Sequence, residues 1–425
     1  MEIPVLVHGK GIYDSDAMRM KYTGMVLEGS RIKEMGRFEE LRTAYPHARV
    51  MDVSDCYILP GLVNTHVHLE FTPCQDTYGI YRREDRKTRM ARAVEHAGAL
   101  LRSGVTTVRD AGSSMDLIEM LSGGKTGSEP RAGIQSGTGS GAGTDLPRIQ
   151  AAGMPLTPEG GHLAFLGKTS NGREELIQAV KIRKSAGCGC IKLIVSGGRL
   201  TPGSIPEHDT YTREEIRAAV EAAHELGLPT AAHCLTTSSY VNAMEAGVDS
   251  VEHCACFRRN PCLGLLERCY EPDVMEAFRG DRRFFMIGIS NHYHQLDLVR
   301  EGMQKPDERE AFLLEQEKRE CEIFGRLVDL GMRPLVGTDA GCGYTFFDET
   351  WLEMELLCRR CALSPEKVIH AATIEGARAL GWGDFLGRLA PGYGADFIAM
   401  EQNPLRDIEA FRHIKHVVCR GKIIE

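Results

Sequence analysis

The sequence predicts an α/β protein: a (β/α)8 barrel beside a small β domain assembled from both ends of the chain. Three observations lead there. Eight apolar, strand-like runs alternate with amphipathic helical stretches through the middle of the chain, the number a closed parallel barrel needs. The first 55 residues and those beyond about 384 read instead as short strands and turns, like each other and unlike the middle. The length of 425 residues accommodates a barrel of roughly 250 residues with a satellite. The expected division is 1–56 with 385–425 for the β domain and 57–384 for the barrel.

Along the N-terminal segment, strands are expected at 5–8, 24–28 and 49–53, with reversals at Gly29 and Gly36 and a helix only around 39–45. The eight runs then follow as LVNTHVH, GVTTVRD, AGIQSG, CIKLIVS, LPTAAHC, VDSVEHC, FFMIGIS and MRPLVGTD. Between them, Asn171 with Glu174 starts a helix that Gly187 ends. Thr212 and Glu215 make a T-x-x-E capping box for another, whose apolar face runs through Ile216, Ala219, Val220, Ala223 and Leu226 before Gly227 and Pro229 stop it. Ser364 with Pro365 starts a third. Strands return in LGRLAPGYGADFIAM and IKHVVCRGKII.

Composition narrows the function. With 51 Lys plus Arg against 59 Asp plus Glu, no excess of cations is available to displace counterions from a phosphate backbone, so no nucleic-acid partner is expected. No stretch approaches the roughly 20 apolar residues that span a bilayer, so no membrane partner is expected either. The N-terminus lacks the basic and apolar regions of a secretory signal, and a cytoplasmic location is expected. The 14 cysteines then read as reduced thiols. Cys358 and Cys361 have C-x2-C spacing, but no second such pair completes a four-cysteine zinc site. Gly123-Gly124-Lys125-Thr126 resembles the end of a phosphate-binding loop, yet Glu119 stands where its first glycine belongs. The glycine-rich run 137–144 reads as a loop close to the barrel mouth.

The chemistry-bearing residues lie at the ends of the runs. The first ends in Thr65-His66-Val67-His68, and residues two apart in a strand share a face, so both imidazoles aim at one point. The fourth carries Lys192, the fifth His233, the sixth His253 and the eighth Asp339. The C-terminal ends of barrel strands converge on one mouth. Four His, one Lys and one Asp there make a ligand set for two divalent ions. Cys234 and Cys254, each following one of these histidines, read as packing residues.

These residues, with PGLVNTHVHLE, TAAHC, VEHC, GTDAG and the closing PGYGADFIAM, resemble the amidohydrolase superfamily over essentially the whole chain. The string from Ile191 through Lys192 to Gly198 is similar to the branch of Xaa-Pro dipeptidases (prolidase-like) and arginine carboxypeptidases, whose fourth-strand lysine is carboxylated and bridges two zinc ions. The resemblance implies a barrel with a β-sandwich built from both termini. It implies His66, His68 and Asp339 on the more buried metal, His233 and His253 on the more exposed one, and N-carboxylated Lys192 on both. A buried apolar strand lowers a lysine pKa, and the neutral amine is the form that captures carbon dioxide.

The implied activity is hydrolysis of an amide or peptide bond in a small substrate, a dipeptide such as Xaa-Pro or an N-acyl amino acid. A hydroxide bridging two zinc ions would attack, and Asp339 would move its proton to the leaving amine. By the same resemblance His162 contacts the oxygen of the scissile group, Tyr211 hydrogen-bonds the substrate, and the chain forms a homo-oligomer. Leu163-Ala164-Phe165 and the polar loop from Ser290 to His294 depart from the branch and point to a different substrate. Arg199 and the pair Arg82/Arg83 are candidate carboxylate binders. Two alternatives stand beside this reading. One is a mononuclear-metal deaminase or a hydrolase of imidazolone or hydantoin-like rings, which usually lacks the bridging lysine. The other is a non-catalytic member, against which all six ligand positions are filled.

Overall fold

The strands near the N-terminus are longer than their short apolar runs suggest. The structure, a computed structural model, describes residues 3–122 and 145–425, with 263 and 292 excepted. Strands β1 (Val5–Asp14), β2 (Arg19–Glu28) and β3 (Arg31–Gly36) precede a helix at Phe38–Ala44 and strand β4 (Arg49–Pro60). β1 pairs antiparallel with β2 and parallel with β4. The apolar run that promised only 5–8 stops at Gly9-Lys10-Gly11, where the register shifts, but such an irregularity bends a strand without ending it.

Eight parallel strands follow. β5 (Leu62–Val67), β6 (Val105–Asp110) and β7 (Arg148–Ala151) form a three-stranded sheet. β8 (Ile191–Ile194), β9 (Thr230–Cys234) and β10 (Ser250–His253) belong to a second sheet. A hairpin of β11 (Phe257–Arg259) and β12 (Leu266–Arg268) intervenes before β13 (Phe284–Met286) and β14 (Arg333–Pro334) complete that sheet in the order β14-β13-β10-β9-β8. The two sheets are bridged at both sides. Leu156 N donates to Lys192 O at 2.8 Å on one side, and Thr65 N donates to Val336 O at 2.9 Å on the other. The third run, AGIQSG at 132–137, lies outside the described residues, as do 123–126 and 137–144. The strand that pairs with β6 is Arg148–Ala151, so the third strand was expected too early. Its four residues are too few to show a period, whereas the earlier segment has the glycine boundaries of a strand.

The helix at Arg213–Glu225 has the expected capping box at Thr212 and Glu215, and Ile216, Ala219, Val220 and Ala223 are buried. Asn171 precedes the helix Gly172–Ala186 without a side-chain cap; Glu175, not Glu174, accepts from its backbone N–H at 2.8 Å. Pro365 opens Pro365–His370 as expected. Strands β15 (Phe397–Met400), β16 (His416–Cys419) and β17 (Lys422–Ile424) end the chain.

Strands from both ends share one seven-stranded sheet, β17-β16-β15-β4-β1-β2-β3, with Phe397 opposite Pro60. Val7, Met25, Ile58, Phe397 and Val418 pack in one cluster drawn from both ends. This sheet is tied to the parallel strands by Arg148, whose Nε donates to Asp396 Oδ2 at 3.1 Å. Asp396 is nearly buried, and its other oxygen accepts from Arg420 N at 2.5 Å. Removing one partner of such a pair strands a charge away from water, so Asp396→Ala should lower the unfolding free energy in urea by about 3 kcal/mol. A change within about 0.5 kcal/mol would mean that the ion pair is not what joins the two parts.

Candidate metal centre

The ends of the parallel strands carry the charged and ligating groups. His66 and His68 lie on and just beyond β5, Lys192 on β8, His233 on β9, His253 on β10, and Asp339 after β14. His66, His68 and Asp339 form a group able to hold a metal ion, with ligand atoms all within 4.8 Å of one another. Asp339 Oδ1 is 3.5 Å from His66 Nε2 and 3.3 Å from His68 Nε2. Ring contacts continue the array: the centroids of His66 and His253 are 5.0 Å apart, those of His253 and His233 4.7 Å, and those of His233 and His162 4.8 Å. His233 and His253 stand beside the three-residue group and outside its 4.8 Å limit.

The groups behind the rings set their tautomers. His66 Nδ1 donates to Glu252 Oε2 at 2.6 Å, and His68 Nδ1 donates to the Gly112 carbonyl at 2.8 Å. Both Nε2 atoms therefore face Asp339, and outer partners of this kind hold imidazole ligands in orientation around a cation. Burial pushes His66 down to about 4 and His253 and His162 down to about 3, and it takes His233 well below the ordinary value. These rings are neutral at pH 7, which is the ligating form. Burial also opposes charge on His68, yet Asp339, Asp110 and the Gly112 carbonyl hold its pKa above the ordinary value. Asp339 behaves in the opposite sense. Burial raises it, but His68, His66 and His253 bring it well below the carboxylate range.

Lys192 is 2% exposed, and its Nζ has no hydrogen-bond partner among the described residues. Burial lowers its pKa to about 8, opposed by Glu252 and assisted by Arg109. An unpartnered buried ammonium is costly, so burial shifts the equilibrium toward the free amine.

Glu252 and Arg109 were not among the expected site residues. Glu252 is fully buried; its Oε1 accepts from Arg109 Nη2 at 2.9 Å and Ser250 Oγ at 2.8 Å. Arg109 also donates through Nε to the Thr65 carbonyl at 2.7 Å. The available signal was the charged residues Arg109 and Glu252 near the ends of the strand-like runs VTTVRD and SVEH. Asn291 Nδ2 donates to Asp339 Oδ2 at 2.9 Å, and the preceding backbone is held by Glu353, which accepts from Ile289 N and Ser290 N at 3.0 and 2.7 Å. His253 and Asp339 have φ of 69° and 60°, a left-handed conformation that persists in non-glycine residues only where the surroundings impose it.

His66, His68, Lys192, His233, His253, Asn291 and Asp339 line a cavity of about 560 Å³ whose other wall includes Arg199, Phe257, Arg268, Leu313 and Tyr344. His162 lines it, 3.3 Å from Thr201 Oγ1 through Nδ1. A side chain at Gly198 would meet the His162 ring at 2.5 Å, so the Ser-Gly-Gly turn needs glycine there. Arg199 reaches the cavity with its guanidinium 4.7 Å from the Phe257 ring centre.

Three expectations need correction or restriction. Tyr211 is not brought to the cavity: it packs in the core, and its hydroxyl donates to the Ser170 carbonyl at 2.7 Å. Arg82 and Arg83 face elsewhere, Arg83 pairing with Asp76 at the surface and Arg82 bordering a separate hollow beside Tyr81. Within the loop from Ser290 to His294, His292 lies outside the described residues. Cys234 and Cys254 are buried, and burial pushes both thiols up, as suits packing residues.

Known proteins resemble this chain in sequence and fold. An ochratoxinase from Aspergillus niger is 25% identical over 386 residues, covering 87% of this chain and 75% of its own. The crystal structure of a Xaa-Pro dipeptidase with bound methionine superposes with a TM-score of 0.80 at 25% identity, covering 99% of this chain and 100% of that one. An imidazolonepropionase from Deinococcus deserti is 40% identical over 83 residues, 20% of this chain and 21% of its own. The sequence pattern of the Amidohydrolase family matches residues 57–424. With that match over most of its length and prolidase-like structural neighbours, the chain belongs to the amidohydrolase family and is a hydrolase acting on carbon–nitrogen bonds.

Proposed function

We propose that the protein hydrolyses the amide bond of a dipeptide or an N-acyl amino acid at a centre of two divalent ions, zinc by preference, bridged by N-carboxylated Lys192. The observation that carries this reading is the buried Lys192 amine, lowered to about 8 and without a partner, on the same mouth as four neutralised or paired imidazoles and Asp339. The donor set suits zinc, which takes imidazole nitrogen and carboxylate oxygen. His66, His68 and Asp339 would hold one ion and His233 with His253 the other. When bound, the ions supply Lewis-acid polarisation of the carbonyl and a lowered pKa for the attacking water.

The chain's own residues do the rest. Asp339, kept ionised and aimed by Asn291, accepts a proton and returns it to the leaving amine. His162, held near Thr201 on the cavity wall, is placed to contact the carbonyl oxygen. Tyr211 has no part in this set. The same reading treats the two parallel sheets as one closed (β/α)8 barrel over 57–384, the sheet from 1–56 and 385–425 as a β-sandwich domain, and the protein as a cytoplasmic homo-oligomer. A relative named as a Xaa-Pro dipeptidase supports a dipeptide substrate. The short match to imidazolonepropionase supports the second reading, hydrolysis of a cyclic amide at one metal.

Elemental analysis separates the two, with two ions per chain expected and one favouring the cyclic-amide reading. Release of product from dipeptides, N-acyl amino acids, lactams and hydantoin-like rings by zinc-loaded protein then identifies the bond; turnover confined to the rings overturns the proposal. Lys192→Ala should lose metal and lower kcat/KM by roughly 10² or more, with partial recovery in short-chain carboxylic acids; full zinc content in that variant refutes the bridge. For Asp339→Asn that retains metal, kcat should fall by roughly 10² to 10⁴. Near-normal turnover there removes Asp339 from proton transfer.

A further inference from the structure

A second feature has no part in the hydrolytic centre. Cys321, in the helix Glu308–Asp329, and Cys361, just past the helix Thr350–Arg359, place their sulfurs 2.9 Å apart. Both are half-buried and reduced. A disulfide needs sulfurs at about 2.0 Å, so closure asks for a movement of only about 1 Å. The two segments are already held together nearby, since Arg360 Nη1 donates to Glu317 Oε2 at 2.9 Å. A groove of about 580 Å³, lined by Leu314, Glu317, Lys318 and Arg360, opens onto both thiols and gives a small molecule access.

We propose that Cys321 and Cys361 form a dithiol/disulfide couple that is closed by a low-molecular-weight disulfide and reopened by thiols. One thiolate attacks a sulfur of the small disulfide, forming a mixed disulfide and expelling one small thiolate. The second cysteine then attacks its neighbour's sulfur and expels the other. The protein loses two electrons and two protons, and the small disulfide becomes two thiols. The contact with Cys321, and burial, push the Cys361 thiol up, so exchange is faster at higher pH.

The bond matters for the cavity because the same helix supplies Arg309, Glu310, Leu313 and Glu320 to its wall. Glu320, the residue before Cys321, pairs with Arg268 on the opposing hairpin. Closure therefore staples the cavity wall to the segment that follows Asp339. The inference does not depend on the substrate proposed above.

The full-length protein is incubated with oxidised glutathione, alkylated and digested with trypsin without reductant. The expected product joins peptide 320–326, ECEIFGR, to peptide 361–367, CALSPEK, with two hydrogens fewer than their sum, and dithiothreitol reverses it. The chain-entropy value for so closed a loop, spread over a protein of this size, raises Tm by about 4 °C. Cys321→Ser and Cys361→Ala should each abolish the link and the shift while leaving metal content unchanged. Recovery of both peptides alkylated, each carrying its own glutathione, or joined to a different cysteine overturns the couple.

Discussion

The site depends on one buried carboxylate. Glu252 lies in the interior without access to water, and an ionised group there is tolerated only if each oxygen is satisfied. Arg109 and Ser250 bond one oxygen and His66 the other, so a single residue of β10 reaches partners on β5 and β6. Against the effect of burial, the charges of Arg109 and Lys192 and the hydrogen bond from His66 keep Glu252 ionised well below the usual carboxylate range. With its oxygens engaged, Glu252 orients His66 and leaves Lys192 without an acceptor. The fixed imidazole of His66 is thus a result of this ionic network, while the lowered pKa of Lys192 comes from burial and is opposed by Glu252.

Most of the strand plan could be read from the sequence because periodicity and position suffice for it. Seven of the eight runs contain a parallel strand, and His66, Lys192, His233, His253 and Asp339 sit where the ends of those runs converge. The third strand could not be placed, since Arg148–Ala151 offers only four residues and one of them is an arginine tied to Asp396. Tyr211 illustrates a different limit. It follows the Ser-Gly-Gly turn in sequence, but the backbone turns its hydroxyl toward Ser170, and one chain carries no signal for that direction. Arg109 and Glu252 were visible as charges in apolar strands, yet a pairing between strands so far apart in sequence has no local signature.

Strain and order meet at the same place. His253 and Asp339 hold left-handed backbones, and Asp339 is fixed through Asn291 by a loop whose own amides are held by Glu353. Burial raises Glu353 to about 7, so the anchor of that loop titrates near neutral pH while Asp339 does not. Positioning of Asp339 is thereby separated from its own ionisation.

The shared terminal sheet also bears on how the chain reaches this state. β4 is complete early in synthesis, but its partner β15 is made only after all eight parallel strands, as the pairing of Pro60 with Phe397 requires. At ordinary elongation rates the wait is on the order of tens of seconds. During that time one side of β4 is an unpaired edge, open to strands of other nascent chains. The pairing has a very long sequence separation, which makes its closure a slow, late event in folding. A truncation that removes the last strands would therefore leave the segments of the candidate metal centre intact in sequence and expose an aggregation-prone edge at the other end of the chain.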